Sequence, residues 1–324
     1  MRLRVLSPQQ VIDLLPMDEC VEVIDAAMRA ASNGEAVMPL RSKMDVPGGK
    51  GLLGWMPGAL VDPPVFGTKI VGVFPGNHEL GLHSHNGVVV LFESEHGMPF
   101  AVVDAAEVTA IRTAAASAVA TRLLAREEAS TLAILGYGAQ AHRHLDAMRV
   151  IRPIDRVLVW GRDQAKAARF AAAHDDITVE VRDDPRSAIS GADIICTVTA
   201  SPTPIVAGAW LEPGQHINAV GTSFPGLREI DGEGVARSRL FVDNVEGAIA
   251  QAGEFGMARD EGLIDESHIV GVPGDIAEGR VAGRTSESDI TMYKSLGLVV
   301  QDLAAAHHVY TKAVAADIGV SVEF

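Results

Sequence analysis

Three cations stand where their neighbours give a charge no ordinary reason. Arg41 follows Val37-Met38-Pro39-Leu40, Lys69 interrupts the apolar run 66–74, and Arg112 lies inside an Ala-rich stretch. The chain of 324 residues carries a formal net charge of −15, so cations gathered on it would make a local pocket for an anion. The same residues are equally compatible with three separate ion pairs.

A second constellation is Leu132-Ala133-Ile134-Leu135-Gly136-Tyr137-Gly138-Ala139-Gln140-Ala141. It reads as a strand, a G-x-G-x-x-A turn and a helix. Gly136 permits the tight turn, Gly138 lets backbone approach a pyrophosphate, and Ala141 keeps the helix close to the strand. The N–H groups that open the helix, at Ala139 and Gln140, would face the phosphates. The motif is weak alone and specific only in a strand–turn–helix context. The second strand ends in Trp160-Gly161-Arg162-Asp163. A site for NAD usually places Asp or Glu at that end, for the ribose 2′-hydroxyl. Gly161 stands there, and Arg162 suits the 2′-phosphate of NADPH; otherwise it is a solvated loop residue. Asp163 is either a ribose ligand or the cap of the next helix. Thr197 and Thr199 follow the fourth strand, at the face where such sheets hold ligands.

Other candidates carry less. His78-Glu79-Leu80-Gly81-Leu82-His83-Ser84-His85 is not an H-E-x-x-H motif, and no partner completes a set of ligands, so no metal is expected. His142 and His144 lie two apart on a helix and point in different directions. Cys20 and Cys196 sit in apolar patterns and read as core thiols of a reducing compartment.

The elements that must position these residues follow from periodicity. Residues 8–33 form a helical region split by Pro16 and ended by Asn33-Gly34. Short apolar runs at 67–74, 87–93 and 100–104 predict a mixed, mostly antiparallel sheet. Residues 105–128 are helical. From 131 onward strands and helices alternate, which predicts an α/β fold: a doubly wound, parallel Rossmann sheet covered on both faces. A last helix spans 298–316 and packs back on the first region. The composition, 48% hydrophobic and 21% charged, is that of a globular chain. The net charge argues against nucleic acid and anionic membrane as partners. No apolar run reaches the ~18 residues of a membrane span, and the N-terminus shows no signal segment, so a cytoplasmic protein is expected.

Taken in order, Gly-Thr-Lys-Ile-Val (67–71), Pro-Gly-Asn (75–77), Arg-Thr-Ala-Ala-Ala-Ser-Ala (112–118), Leu-Gly-Tyr-Gly-Ala-Gln-Ala (135–141), Asn-Ala-Val-Gly-Thr-Ser-Phe-Pro-Gly (218–226) and Asp-Ile-Thr-Met-Tyr-Lys-Ser-Leu-Gly (289–297) make the chain resemble the ornithine cyclodeaminase/mu-crystallin family, over nearly its whole length. The resemblance implies a discontinuous α+β substrate and dimerisation domain, residues 1–125 and 300–324, and an NADP-binding domain, residues 126–299. It implies a homodimer formed through the first domain's sheet, with active sites in the cleft between domains. Arg41, Lys69 and Arg112 match the residues that bind the substrate carboxylate. Ser223 takes the place of an Asp that the family's cyclodeaminases carry, and it joins Lys294 and Gly297 of the matching segments at the cofactor. Lys294 and His85 also follow the mu-crystallin-like members.

The resemblance therefore implies reduction of small 2-imino carboxylates to L-amino acids by NADPH, with NADH as the alternative. Cyclic ketimines such as pyrroline-2-carboxylate or piperideine-2-carboxylate are the expected substrates. Lys69, Arg112, His85 and Ser223 are the catalytic candidates, with Lys69, His85 or a water as proton source. Leu53, Trp55, Met56 and Phe224 are candidates for shaping the side-chain pocket. Three rival readings remain: ornithine or lysine cyclodeaminase, amino-acid dehydrogenase working through an acyclic imine, and a non-catalytic crystallin-like binding protein.

Overall fold

The computed structural model describes residues 2–80 and 84–323, without the side chains of His78 and Glu79. His83 therefore lies outside the described residues. The chain divides into two compact units, Met1–Arg112 with Leu298–Phe324, and Thr113–Gly297.

In chain order the first part holds β1 (Arg2–Leu6), α1 (Pro8–Leu14), α2 (Met17–Ser32), β2 (Ala36–Val37), β3 (Ser42–Asp45), β4 (Leu52–Leu60), β5 (Val65–Val73), β6 (His85–Glu93), β7 (Pro99–Asp104) and α3 (Ala105–Leu124). The middle part holds β8 (Thr131–Leu135), α4 (Ala139–Ile151), β9 (Arg156–Trp160), α5 (Gln164–Ala172), β10 (Thr178–Val181), α6 (Pro185–Ile189), β11 (Ile194–Thr197), β12 (His216–Ala219), α7 (Gly232–Ala236), β13 (Arg239–Val242), α8 (Val245–Gln251), α9 (Gly253–Asp260), β14 (Ile269–Gly271), α10 (Pro273–Ala277) and β15 (Thr291–Lys294). The chain closes with α11 (Val299–Ala315) and β16 (Val320–Glu323).

The first unit is built on one sheet in the order β16-β1-β7-β6-β5-β4-β2, with β3 paired to β4. All its pairs are antiparallel except β1 with β7. β4 escapes sequence reading because Gly54, Pro57 and Gly58 break its pattern, yet it pairs with β5 along its whole length. One face of this sheet takes α11. Gly58 makes room for it, since a methyl group there would sit 2.4 Å from Val299 Cγ1. That close approach brings the polar first turn of α11 down onto β5.

The second unit is an all-parallel sheet in the order β10-β9-β8-β11-β12-β15-β13-β14. Its central strands, such as Thr131–Leu135 and Ile194–Thr197, are apolar runs buried on both faces. The strand order reverses between β8 and β11, and the glycine motif leaves β8 at that point. This is the doubly wound α/β arrangement that the βαβ rhythm predicts.

The boundary near α3 falls inside the helix, at 112/113, where the sequence placed it at 125/126. The helix serves both units through different side chains. Arg112 bonds to Asp302 in the first, while Ser117 meets His144 at 3.0 Å and Thr121 accepts from Asn218 at 2.8 Å in the second. Among the described residues no helix is long and apolar enough to cross a membrane.

Candidate active site

In the first unit β5 runs through the middle of the sheet and presents Lys69 on the face that α11 covers. Lys69 pairs with Met56 on β4 and with Val89 on β6. Arg41 immediately precedes β3, whose first residue, Ser42, pairs with Trp55 on β4. Met56, Lys69 and Val89 thus form one row across the sheet, on one face.

The row is completed from two helices. Asp302 of α11 accepts from Lys69 Nζ at 2.9 Å and from Arg112 Nε at 2.9 Å, both on Oδ1, and its Oδ2 also lies 2.9 Å from Lys69 Nζ. Arg112 Nη1 donates to Gln301 Oε1 at 3.0 Å, and Lys69 Nζ reaches Thr109 Oγ1 at 3.4 Å. Relative exposure is 4% for Lys69, 4% for Arg112 and 0% for Asp302. Two cations this deep would expel one another without a counter-charge, and Asp302 supplies it. The trio still carries one net positive charge, and Arg41 adds to the field. Arg112 Nη2 has no hydrogen-bond partner among the described residues, so its outer donors are available to an anion.

The same setting tunes Lys69. Burial pushes its pKa from 10.5 down to about 8, with Arg112 and Arg41 adding to the fall and Asp302 opposing it. The ammonium is therefore poised to exchange its proton near neutral pH.

Asp302 and Gln301 were not read as site residues. Their signal was there: consecutive polar residues in the otherwise apolar Val299-Val300-Gln301-Asp302-Leu303-Ala304. His85 shares the Lys69 face of the sheet but opens β6, four positions beyond Val89 and about 13 Å along the strand. It is exposed, its Nδ1 2.9 Å from Ser84 Oγ. The structure thus separates His85 from Lys69. Leu53 and Trp55 pair with Gly72 and Ile70 and lie on the opposite face, so they do not shape a pocket around Lys69; Met56 is on the Lys69 face.

In the second unit the turn after β8 has the geometry its glycines require. Gly136 has φ +131°, and a methyl group there would meet Val198 Cγ2 at 2.8 Å. Its N–H donates to Trp160 O at 2.8 Å. Gly138 is the N-cap of α4, and an added methyl would find nothing within 4 Å, which leaves open space at the helix N-terminus. Ala141 is fully buried and holds α4 against the sheet. Ala139 and Gln140 open the helix, where N–H groups lack intrahelical partners. This cradle fits a dinucleotide pyrophosphate.

Gly161 has its own cause: a methyl group there would strike the Tyr137 ring at 2.2 Å. An acidic side chain is thereby excluded from the end of β9. Asp163 caps α5, accepting from Lys166 N at 3.0 Å. Arg162 is exposed and makes no hydrogen bond or ion pair among the described residues.

Thr197 is buried at the end of β11, and Thr199 donates through N and Oγ1 to Glu229 Oε1 at 2.7 and 2.6 Å. Ser223 lies half-buried in the loop after β12. Two further expected cofactor residues have partners within the unit. Lys294 is 1% exposed, with Nζ 2.9 Å from Glu254 Oε2 and donating to Thr222 O at 2.5 Å. Gly297 N donates to Asp243 Oδ2, which also accepts from Leu296 N at 2.6 Å. The Lys294 contacts have a plain cause: a buried ammonium needs its partners at contact distance.

His144 is buried between Ser117 and the Gln140 carbonyl, and His142 packs at a tilt against His174 and Phe170. Cys20 and Cys196 are free and buried, their thiols pushed up to about 12 by burial. Among the described residues no group of three His, Cys, Asp or Glu could hold a metal ion.

The ornithine cyclodeaminase/mu-crystallin family model matches residues 2–317, and the chain belongs to that family. It is 33% identical over 324 residues to a Delta(1)-pyrroline-2-carboxylate reductase of Bacillus cereus, covering 99% of each chain. The fold matches a Thermococcus litoralis Delta(1)-pyrroline-2-carboxylate reductase solved with NADH and L-proline, with a TM-score of 0.96, 34% identity and coverage of 99% of this chain and 100% of that one. It also matches an archaeal alanine dehydrogenase dimer with bound NAD, with a TM-score of 0.94, 33% identity and full coverage of both chains.

Replacing Asp302 with Asn removes the charge between Lys69 and Arg112. Urea unfolding at pH 7 should show a loss of about 3–5 kcal/mol, the usual cost of breaking a buried ion pair. An unchanged unfolding midpoint would mean that Asp302 is not the counter-charge that holds the two cations.

Proposed function

We propose that the protein reduces small 2-imino carboxylates to L-amino acids with NADPH, NADH being the alternative donor, and that it works as a homodimer. Cyclic ketimines such as Delta(1)-pyrroline-2-carboxylate and piperideine-2-carboxylate are the proposed substrates. The observation that carries this reading is the buried Lys69–Asp302–Arg112 trio, with a surplus positive charge, on a chain whose other unit has a dinucleotide cradle. The reductase relatives support it, and so does the archaeal dimer.

The carboxylate of the substrate meets Arg112 Nη2 and Arg41, which together neutralise it and fix the adjoining carbon. Lys69 keeps a proton at the imine nitrogen. A protonated C=N accepts hydride readily and a neutral one does not, so this proton governs the reaction. The nicotinamide, when bound, supplies the hydride. Ser223, in the place of the acidic residue of the cyclodeaminases, brings no negative charge to drive water attack, which argues against ornithine cyclisation. Arg162 holds the 2′-phosphate and gives the preference for NADPH. The likeness to alanine dehydrogenase favours one second reading, in which the imine is acyclic and formed from a 2-oxo acid and ammonia.

The pH dependence follows from Lys69. Its folded-state pKa is lowered to about 8, so the proton is present below that value and lost as pH rises through it. The kcat/KM for a ketimine should fall above about pH 8. Because Asp302 raises the Lys69 pKa, the break should move to lower pH in Asp302→Asn. The assay is NADPH oxidation with pyrroline-2-carboxylate and piperideine-2-carboxylate, run beside ornithine. Ketimine-dependent oxidation with no ammonia from ornithine is expected. Ammonia and proline from ornithine, with no net NADPH consumption, would make the protein a cyclodeaminase.

Arg162→Ala should raise KM for NADPH by about tenfold or more, the worth of one charge-assisted phosphate contact, and leave KM for NADH unchanged. Equal effects on the two donors would remove Arg162 from cofactor selection.

A further inference from the structure

The second unit buries a group of charges that the mechanism above leaves unused. Glu229 is 0% exposed, Glu254 1% and Lys294 1%. They gather at the carboxyl ends of β11, β12 and β15. Burying three charges is costly when apolar side chains of the same size would fill the space. Their geometry shows what they hold.

Glu229 Oε1 accepts from Thr199 N at 2.7 Å and Thr199 Oγ1 at 2.6 Å, in the loop after β11. Its Oε2 accepts from Gly221 N at 2.8 Å, in the loop after β12. One carboxylate thus ties two neighbouring loops together. Gly221 permits the approach, since a methyl group there would lie 2.0 Å from Thr199 O and 2.6 Å from Glu229 Oε2. Glu229 is itself fixed through its backbone: its carbonyl accepts from Ile205 N at 2.8 Å and Val206 N at 3.0 Å. Behind it, Glu254 Oε1 accepts from Glu229 N at 3.1 Å and Thr222 Oγ1 at 2.9 Å, and Lys294 ties Glu254 to Thr222 O. The hydrogen bonds that reach the loops end on Thr199, Gly221 and Thr222, or on Glu229 itself.

Those two loops leave the half of the sheet beyond the reversal of strand order. In a doubly wound sheet each half binds one mononucleotide, and the half that begins with the glycine turn takes the adenosine side. We propose that Glu229 is a positioning residue for the nicotinamide mononucleotide half of the cofactor, holding the loops at Thr199 and Gly221 at the separation that half requires. The proposal rests on the reading of this unit as a nicotinamide dinucleotide site. Burial raises the pKa of Glu229, and the Thr199 hydroxyl and N–H, with the charge of Lys294, oppose that rise.

The chemistry sets the variant. In Glu229→Gln the side chain keeps its shape, but its NH2 must face a donor, Thr199 N–H or Gly221 N–H, and one loop is pushed away. Thr199→Ala removes a single hydroxyl tie and is the milder variant should Glu229→Gln fail to fold. Calorimetric titration of the full-length protein with NADP+ and with adenosine 2′,5′-bisphosphate, which represents the adenosine half alone, separates the two halves. Glu229→Gln should weaken NADP+ about tenfold or more and change adenosine 2′,5′-bisphosphate less than about twofold, with Thr199→Ala a smaller loss of the same pattern. Equal weakening of both ligands, or of neither, overturns the proposal. A wild-type protein that binds neither ligand overturns the dinucleotide reading itself, and the proposal with it.

Discussion

A positive charge stays inside a folded protein only where a negative one meets it at contact distance, and the first unit of this protein is organised around that constraint. Asp302, with no exposed surface, accepts from Lys69 and Arg112 at once. To do so, α11 must lie close on the sheet, which Gly58 allows, and α3 must deliver Arg112 from the other side of the carboxylate. The result is a fixed pair of cations, only partly neutralised, with the outer donors of Arg112 left for a ligand. The same carboxylate opposes the fall of the Lys69 pKa that burial and the two arginines cause, and so keeps a proton on Lys69 near pH 8. The stability of the buried cations, and the anion binding and proton supply proposed for them, would thus all depend on one ion-pair geometry.

The second unit meets a related constraint in the opposite sense. There the buried charges are mainly acidic, and they act on backbone. Glu229 and Asp243 collect N–H groups from loops at the strand ends, and Lys294 compensates Glu254. A surface meant to receive a long, flexible cofactor needs loops that hold one separation, and side-chain carboxylates fix loop backbone that no sheet ladder reaches.

Much of this was legible in the residues. The strands 131–135, 156–160 and 178–181 follow from apolar runs bounded by turns, and the strained φ of Gly136 and the open space at Gly138 are what the motif spacing implies. Lys69 and Arg112 stand out because a charge in an apolar run needs a reason. What was not legible depended on contacts between segments distant in sequence. Asp302 lies 233 residues from Lys69; its place in an apolar run marks it as a polar residue with a role, but not which residue it meets. Lys294 looked like a cofactor residue because its segment matches the family; only its contacts with Glu254 and Thr222 reveal an internal brace. Leu53 and Trp55 were misjudged because strand parity, which puts them on the face opposite Lys69, was hidden by the glycines and proline of β4.

The central claim is that a carboxylate held by the Arg112 side of this ion-pair geometry presents its neighbouring C=N carbon to hydride. The most direct measurement is isotope transfer. NADPH carrying deuterium at the transferable position of the nicotinamide is incubated with pyrroline-2-carboxylate and the protein, and the product is examined by NMR. Proline with deuterium on the carbon that bears the carboxylate, and on no other carbon, is the expected product. Proline without deuterium there, or no proline at all while the protein binds NADPH, would contradict the claim.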